Sequence, residues 1–326
     1  MKGKRCTSLV FCFISACILV MPALAMAQKP IELKMGSAFT YNRTTELGLR
    51  MFIERVNKAA AGKLTIKYMG GPEAIPPFEL IEAVRKGVVD LAGSPGSYYS
   101  AQVAEAGAMY LSRVTPEEER SNGAYALFNK VIAQKVNAYY LGRYNTTYKF
   151  NFYTKAKVEK MADFKGLKMR VSPVYRAFLK ELDGVPIVMP HSEIYTALER
   201  GVVQGMGGTN FDIMDQGWHE QIKFIVDPPF YGSDTGIVVN LDTWNKLPED
   251  LRKLMSSIMV DVEKDSGVEL LKIINKERED LVKYGIKVIP IAEPEKYVSL
   301  AYESAWKDVL EKSPQNGPEL KKLLSK

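Results

Sequence analysis

Along the chain, hydrophobic and polar positions fall into a recurring order. Ile31 to Met35 (IELKM) alternates with a period of two, which predicts a strand, and Tyr41-Asn42-Arg43-Thr44-Thr45 offers capping residues before the helical periodicity of Leu47 to Ala59. Leu64 to Tyr68 (LTIKY) alternates again. After the Gly70-Gly71-Pro72 turn, Pro77 to Lys86 reads as a helix closed by Gly87, and Val88 to Ala92 opens another extended run. Part of this order then returns. Tyr195 to Gln204 (YTALERGVVQ) matches Ile81 to Asp90 (IEAVRKGVVD) at an offset of 114 residues, with Gly-Val-Val in register and a strand upstream of each copy, LTIKY and Val185 to Met189 (VPIVM). A match this short also fits a generic helix stop; the matching flanks favour two related α/β lobes. Alternating strands and helices predict mainly parallel sheets with crevices at the carboxyl ends of the strands.

The remaining elements extend this pattern. Thr115-Pro116-Glu117-Glu118 is a capping box with proline at the first helical position, predicting a helix from Pro116 to about Tyr139. A second begins after Leu247-Pro248-Glu249-Asp250 and runs to about Tyr284, with Gly267 as its weak point. At 1.5 Å per residue it would reach about 50 Å, long enough to brace both lobes, though a coiled coil or a broken pair also fits. Tyr148 to Tyr153 and Gly236 to Asn240 read as strands that carry the chain between lobes.

The N-terminus changes the compartment. Met1 to Arg5 is basic, Thr7 to Leu24 is uncharged and apolar, and Ala25-Met26-Ala27 presents small residues at the positions a signal peptidase reads, so cleavage after Ala27 is expected. A retained membrane helix, or lipid attachment at Cys17, are the alternatives. The three cysteines, Cys6, Cys12 and Cys17, all lie in this segment, so the chain after Ala27 has no thiol for a disulfide, a metal site or a nucleophile. Its charge is nearly balanced, 41 basic against 38 acidic side chains, which gives nucleic acid no reason to bind. Catalytic signatures are missing as well: His191 and His219 lack metal-ligand spacing, and there is no nucleophile elbow, Walker loop or dinucleotide fingerprint. No enzyme, cofactor or metal is expected.

Several segments together resemble a known family. Asp163 to Val171 (DFKGLKMRV), Val185 to Pro190 (VPIVMP), Ser192 to Leu198, Gly201-Val202-Val203 and Leu247 to Leu251 resemble, in order, the solute-binding subunit of TRAP transporters, the DctP-type periplasmic receptors. The resemblance implies an α/β, two-lobed periplasmic binding protein fold, class II-like, with the long late helix bracing both lobes. It also implies a small organic-acid ligand closed between the lobes and delivery to membrane permease subunits. A sensory partner of a membrane receptor and a periplasmic hydrolase are the other readings. Lobe one is expected at residues 31–147 with 236–275, and lobe two at 148–235 with 276–326.

The resemblance also marks residues. It implies that Arg170, at the end of the Gly-Leu-Lys strand, pairs with the ligand carboxylate, and a guanidinium fork suits that partner in geometry and charge. An exposed arginine paired with an acid is the plainer reading. Where the family often has an acidic residue, asparagine and proline, this chain has Gly207-Gly208-Thr209-Asn210, so Thr209 or Asn210 is expected to make the polar contact unless the segment is only a capped turn. Gln204 stands where the family has aspartate. Phe150 stands where receptors for larger sugar acids have a second arginine, which suggests a less hydroxylated ligand if it is not simply core. In the first half Tyr98 follows a strand and faces the expected crevice. Thr44, Glu73, Trp218 and Asp234 complete the candidates; Thr44 also fits a plain N-cap, and Glu73 a surface or lobe-bracing acid.

Overall fold

A computed structural model of the chain describes residues 29–325. The expected signal segment, its cleavage point and the three cysteines lie outside the described residues, and no helix within them is long and apolar enough to cross a membrane.

The first half runs β1 (Ile31–Ser37), α1 (Leu47–Ala59), β2 (Leu64–Gly70), α2 (Leu80–Arg85), β3 (Leu91–Pro95), α3 (Pro116–Asn122), α4 (Ala124–Val136) and β4 (Ala138–Arg143). The second runs β5 (Phe150–Thr154), β6 (Lys168–Val171), α5 (Pro173–Glu181), β7 (Val185–Val188), α6 (Ile194–Glu199), β8 (Gly205–Thr209) and β9 (Phe224–Phe230). The chain returns as β10 (Thr235–Asn240) and α7 (Leu241–Lys246), then closes with α8 (Glu249–Tyr284), β11 (Lys287–Pro290), α9 (Pro294–Lys312) and α10 (Gly317–Leu324). Two sheets result, ordered β2-β1-β3-β10-β4 and β11-β9-β5-β8-β6-β7.

Each sheet contains the same parallel triplet, β2-β1-β3 in one and β7-β6-β8 in the other. Next to each triplet lies a strand that has just crossed over, β10 and β5, and both run antiparallel. The sheets are therefore mainly parallel, as the alternating pattern predicts, except for one strand in each: the crossing strands β10 and β5 enter from the opposite direction, antiparallel to both neighbours.

The internal match has a physical basis. Gly87 and Gly201 both adopt a positive φ of 70°, closing α2 and α6 in a conformation that disfavours a Cβ. Three residues later Asp90 accepts from Lys34 N at 2.8 Å and returns its own N–H to Lys34 O. Gln204 repeats the exchange with Lys168, its Oε1 accepting at 3.0 Å. The position needs a side-chain carbonyl oxygen, which is why glutamine can stand for aspartate.

The capping box forms as expected, with Glu118 N donating to Thr115 Oγ1 and Thr115 N to Glu118 Oε2. The helix does not continue to Tyr139. Gly123 turns left-handed, with φ of 98°, and splits it, and Asn137, also at positive φ, ends the second part before β4.

Helix α8, by contrast, is unbroken over 36 residues, or about 54 Å. Met255, Met259 and Val262 pack in the core of the first sheet, whereas Leu270 and Ile274 join a core of the second. Gly267 is a contact point. A Cβ there would lie 2.6 Å from Thr146 Oγ1, in the segment that crosses from β4 to β5. That segment is fastened to the helix by Asn145 N to Ser266 Oγ (2.9 Å) and Thr147 Oγ1 to Gly267 O (2.8 Å). The return crossing lies beside it, joined through Tyr144 N to Thr235 O.

Candidate functional site

The carboxyl ends of β3, β6 and β8 meet around a cavity between the two sheets, as expected of α/β folds. Arg170 is the penultimate residue of β6 and is 2% exposed. Its Nε and Nη2 donate to Met189 O (3.1 and 2.9 Å) and its Nη1 to Gly207 O (3.1 Å). Both acceptors are neutral, and among the described residues the guanidinium has no ion pair. Two of its five N–H groups, one on each Nη, are not taken by these carbonyls, and the Tyr98 hydroxyl lies within hydrogen-bond reach of this edge. A buried cation without an anion is costly, so the arrangement invites one.

The rest of the wall is largely aromatic. Tyr98 sits in the turn after β3, against Phe39 and Phe78, with its hydroxyl next to Arg170; burial raises its pKa, which Arg170 partly offsets. Phe150 is edge-on to both Tyr148 and Tyr175. Thr209 lines the cavity too, but its hydroxyl is engaged by Phe211 O at 2.9 Å. Asp234 is buried, accepting from Ser97 N at 2.9 Å and Tyr148 hydroxyl at 3.3 Å, and burial raises its pKa. The cavity volume is about 40 Å³.

Four candidates lie elsewhere. Asn210 accepts from Lys149 N at 3.0 Å and fastens β8 to the first crossing. Thr44 bonds Asp215 through its N–H at 3.2 Å, next to the Arg43–Asp215 ion pair at 2.9 Å, so it belongs to a clasp between the halves. Glu73 turns back onto Gly71 N at 2.7 Å. Trp218 is 1% exposed within the core of Ile194, Val203 and Met206. Each has a local partner or a core to fill, which residue type alone does not reveal.

Thr45 and His191 are among the wall residues that escaped the sequence. Thr45, not Thr44, faces the cavity, because the turn before α1 rotates successive side chains apart. His191 also lines it, 3.1 Å from Asp212 Oδ2. Burial, helped by Arg170 and Arg43, pushes the imidazole down to about 3, so it is neutral and leaves Arg170 as the cation of the wall. Its place just after β7 was the available signal, since strand ends feed the crevice.

The clasp is weak, because both its side chains are more than a third exposed and such pairs contribute about 0–1 kcal/mol. Closure must rest on what fills the cavity.

Beside Thr45, Glu46 is fully buried between Ser37 and Tyr144, and burial raises its pKa from 4.5 to about 8. An acid whose folded value is raised holds its proton more tightly in the fold. Its contribution is therefore complete below pH 4.5 and is lost as pH rises through about 8. Denaturant unfolding at pH 5 and pH 9 should show a fall in stability that Glu46→Gln largely removes; equal falls in both proteins would refute the assignment.

With the geometry in place, comparison with known proteins is decisive about kinship. The DctP model, bacterial extracellular solute-binding protein family 7, matches residues 35–313. The chain belongs to this family. A monocarboxylate 2-oxoacid-binding periplasmic protein of Nostoc is 23% identical over 71% of the chain and 66% of its own length. Among solved structures, a marine metagenome TRAP solute-binding protein holding co-purified pyroglutamate superposes with a TM-score of 0.79 at 20% identity, covering 91% of this chain and 99% of that one. One from Desulfovibrio salexigens with bound orotic acid gives 0.79 at 20% identity, over 90% and 97%. At these identities the structures establish the two-lobed fold of this solute-binding protein.

Proposed function

We propose that this solute-binding protein is a periplasmic receptor that closes its two lobes on a small organic acid and presents the closed complex to the membrane subunits of a TRAP transporter. The observation that carries this reading is Arg170: a buried guanidinium, bonded to main-chain carbonyls and to the Tyr98 hydroxyl but to no carboxylate, in the wall of a cavity between the lobes. The related receptors, which hold pyroglutamate or orotate or are named for 2-oxoacids, support an acid as ligand.

In this reading the carboxylate takes the N–H groups of Arg170 that the carbonyls leave, with Tyr98 alongside and Phe150 against the body of the ligand. Thr209 and Asp234 shape the wall. Lobe one comprises residues 31–147 with 236–275 and lobe two 148–235 with 276–326, α8 being shared. Export uses the segment cut after Ala27. Binding energy shifts an open–closed equilibrium, because contacts to both lobes exist only in the closed form; no covalent step and no cofactor is involved.

The test is chemical. Protein purified from cells and denatured should release an unaltered organic acid, identified by mass spectrometry. The same protein should stimulate uptake of that acid into vesicles carrying a TRAP permease pair. Release of a chemically altered acid, or uptake independent of the protein, would refute the reading.

A further inference from the structure

Thr45 is 5% exposed and lines the cavity, yet its hydroxyl has no hydrogen-bond partner. The neighbouring residues are committed: Thr44 to Asp215 in the clasp, Glu46 to Ser37 and Tyr144. The main chain at Thr45 is also pinned, its carbonyl accepting from Asn145 Nδ2 at 2.9 Å. A buried hydroxyl left unpaired is unfavourable, and a ligand group that meets it recovers the loss.

Three other hydroxyls of the wall are already used within the protein. Tyr148 and Thr235 bond each other at 2.8 Å, and Thr209 bonds Phe211 O. A polyhydroxylated acid would therefore bring many groups and find few partners, in a space of about 40 Å³. A dicarboxylate fares no better. Arg170 is the one cation of the wall, His191 is held neutral, and Asp234 lies on the same wall.

We infer that the ligand is a small monocarboxylate bearing one neutral hydrogen-bonding group (hydroxyl, keto or lactam), and that Thr45 reads this group from the first lobe while Arg170 holds the carboxylate from the second. A threonine hydroxyl both donates and accepts, so any of the three groups satisfies it. The inference rests on the receptor reading above and narrows it. It also makes Thr45 a specificity residue, because a site built to bond a polar group discriminates against the analogue that lacks it.

Matched acids test this by titration calorimetry: lactate against isobutyrate, and pyroglutamate against cyclopentanecarboxylate, with succinate and glucuronate as outsiders. The wild-type protein should prefer the polar member of the better-bound pair by about tenfold or more. Thr45→Val should erase that preference while binding the apolar member within about twofold of wild type, and Thr45→Ser, which keeps the hydroxyl, should retain it. Succinate and glucuronate should bind at least about tenfold more weakly than the best acid. If none of the six acids binds, the carboxylate reading fails and this inference with it. If acids bind but Thr45→Val weakens both members of a pair equally, or an outsider binds best, the receptor stands and the role of Thr45 is overturned.

Discussion

Replacing Arg170 by methionine is expected to weaken binding of the preferred acid by on the order of 100-fold while leaving the unliganded fold intact. Two charge-assisted hydrogen bonds at roughly 1.5–3 kcal/mol each would predict about 10²–10⁴. The lower end applies because Met189 O and Gly207 O also lose their donor and the cavity widens. Methionine keeps most of the aliphatic volume, so calorimetry on the folded variant isolates the fork. Arg170→Lys, which keeps charge but not the paired donors, should fall between the two. Stability adds an independent check. Relief of a buried charge without a counter-ion and loss of the donors to Met189 O and Gly207 O act in opposite directions, so Arg170→Met should unfold in urea within about 2 kcal/mol of the wild type in the absence of ligand. Undiminished affinity in a folded variant would remove Arg170 from the site.

Arg143 should behave in the opposite way, costing stability with no direct role in binding. It lies on β4 and pairs with Glu119 of α3 at 2.6 Å, each being about 4% exposed. Its Nη1 also donates to Ser233 O, on the return crossing, at 2.7 Å. Removing one partner of a buried pair strands the other, so Arg143→Met is expected to cost about 3–5 kcal/mol in urea unfolding at pH 7. Burial already raises the pKa of Glu119 against the pull of Arg143, so without the arginine the carboxyl is pushed further toward its neutral form. Adding Glu119→Leu should recover most of the loss, because an apolar pair replaces an orphaned charge. A single-variant cost below about 1 kcal/mol would show that the pair is not under strain of this kind.

Much of the architecture could be read from periodicity. The alternations IELKM, LTIKY and VPIVM became β1, β2 and β7 within a residue or two at their ends, and the two Gly-Val-Val stops became the paired turns after α2 and α6. A stronger signal lay unused: Leu33-Lys34-Met35 lies on β1 and Leu167-Lys168-Met169 leads into β6, the middle strands of the two parallel triplets. In that alignment Gly36 stands opposite Arg170, so one half presents a guanidinium where the other has no side chain. Features set by backbone direction were harder to read. Left-handed residues at Gly123 and Asn137 cut one helix short, whereas Gly267, which looked like a break, serves as a seat for Thr146. The antiparallel crossings depend on the route of the chain through space, which no local pattern encodes. Arg170, Tyr98 and Phe150 line the cavity because strand ends face the crevice. Thr44, Glu73 and Trp218 lie away from the cavity, because a polar or aromatic residue after a strand can equally satisfy its own loop or core, the plainer reading already open for Thr44 and Glu73.

Helix α8 and the crossing fastened to it constrain how the molecule can move. A continuous rod buried in both halves cannot fold at its middle without breaking its own ladder, and the bonds at Ser266 and Gly267 hold the nearest connector flush against it. Motion is thereby confined to torsion of the short connectors, as in a book whose covers swing while the binding keeps its shape. The back of the molecule would look the same full or empty, and only the rims around Arg43 and Asp215 would report cargo. Under the proposed function, a permease that must reject empty carriers would find its information there.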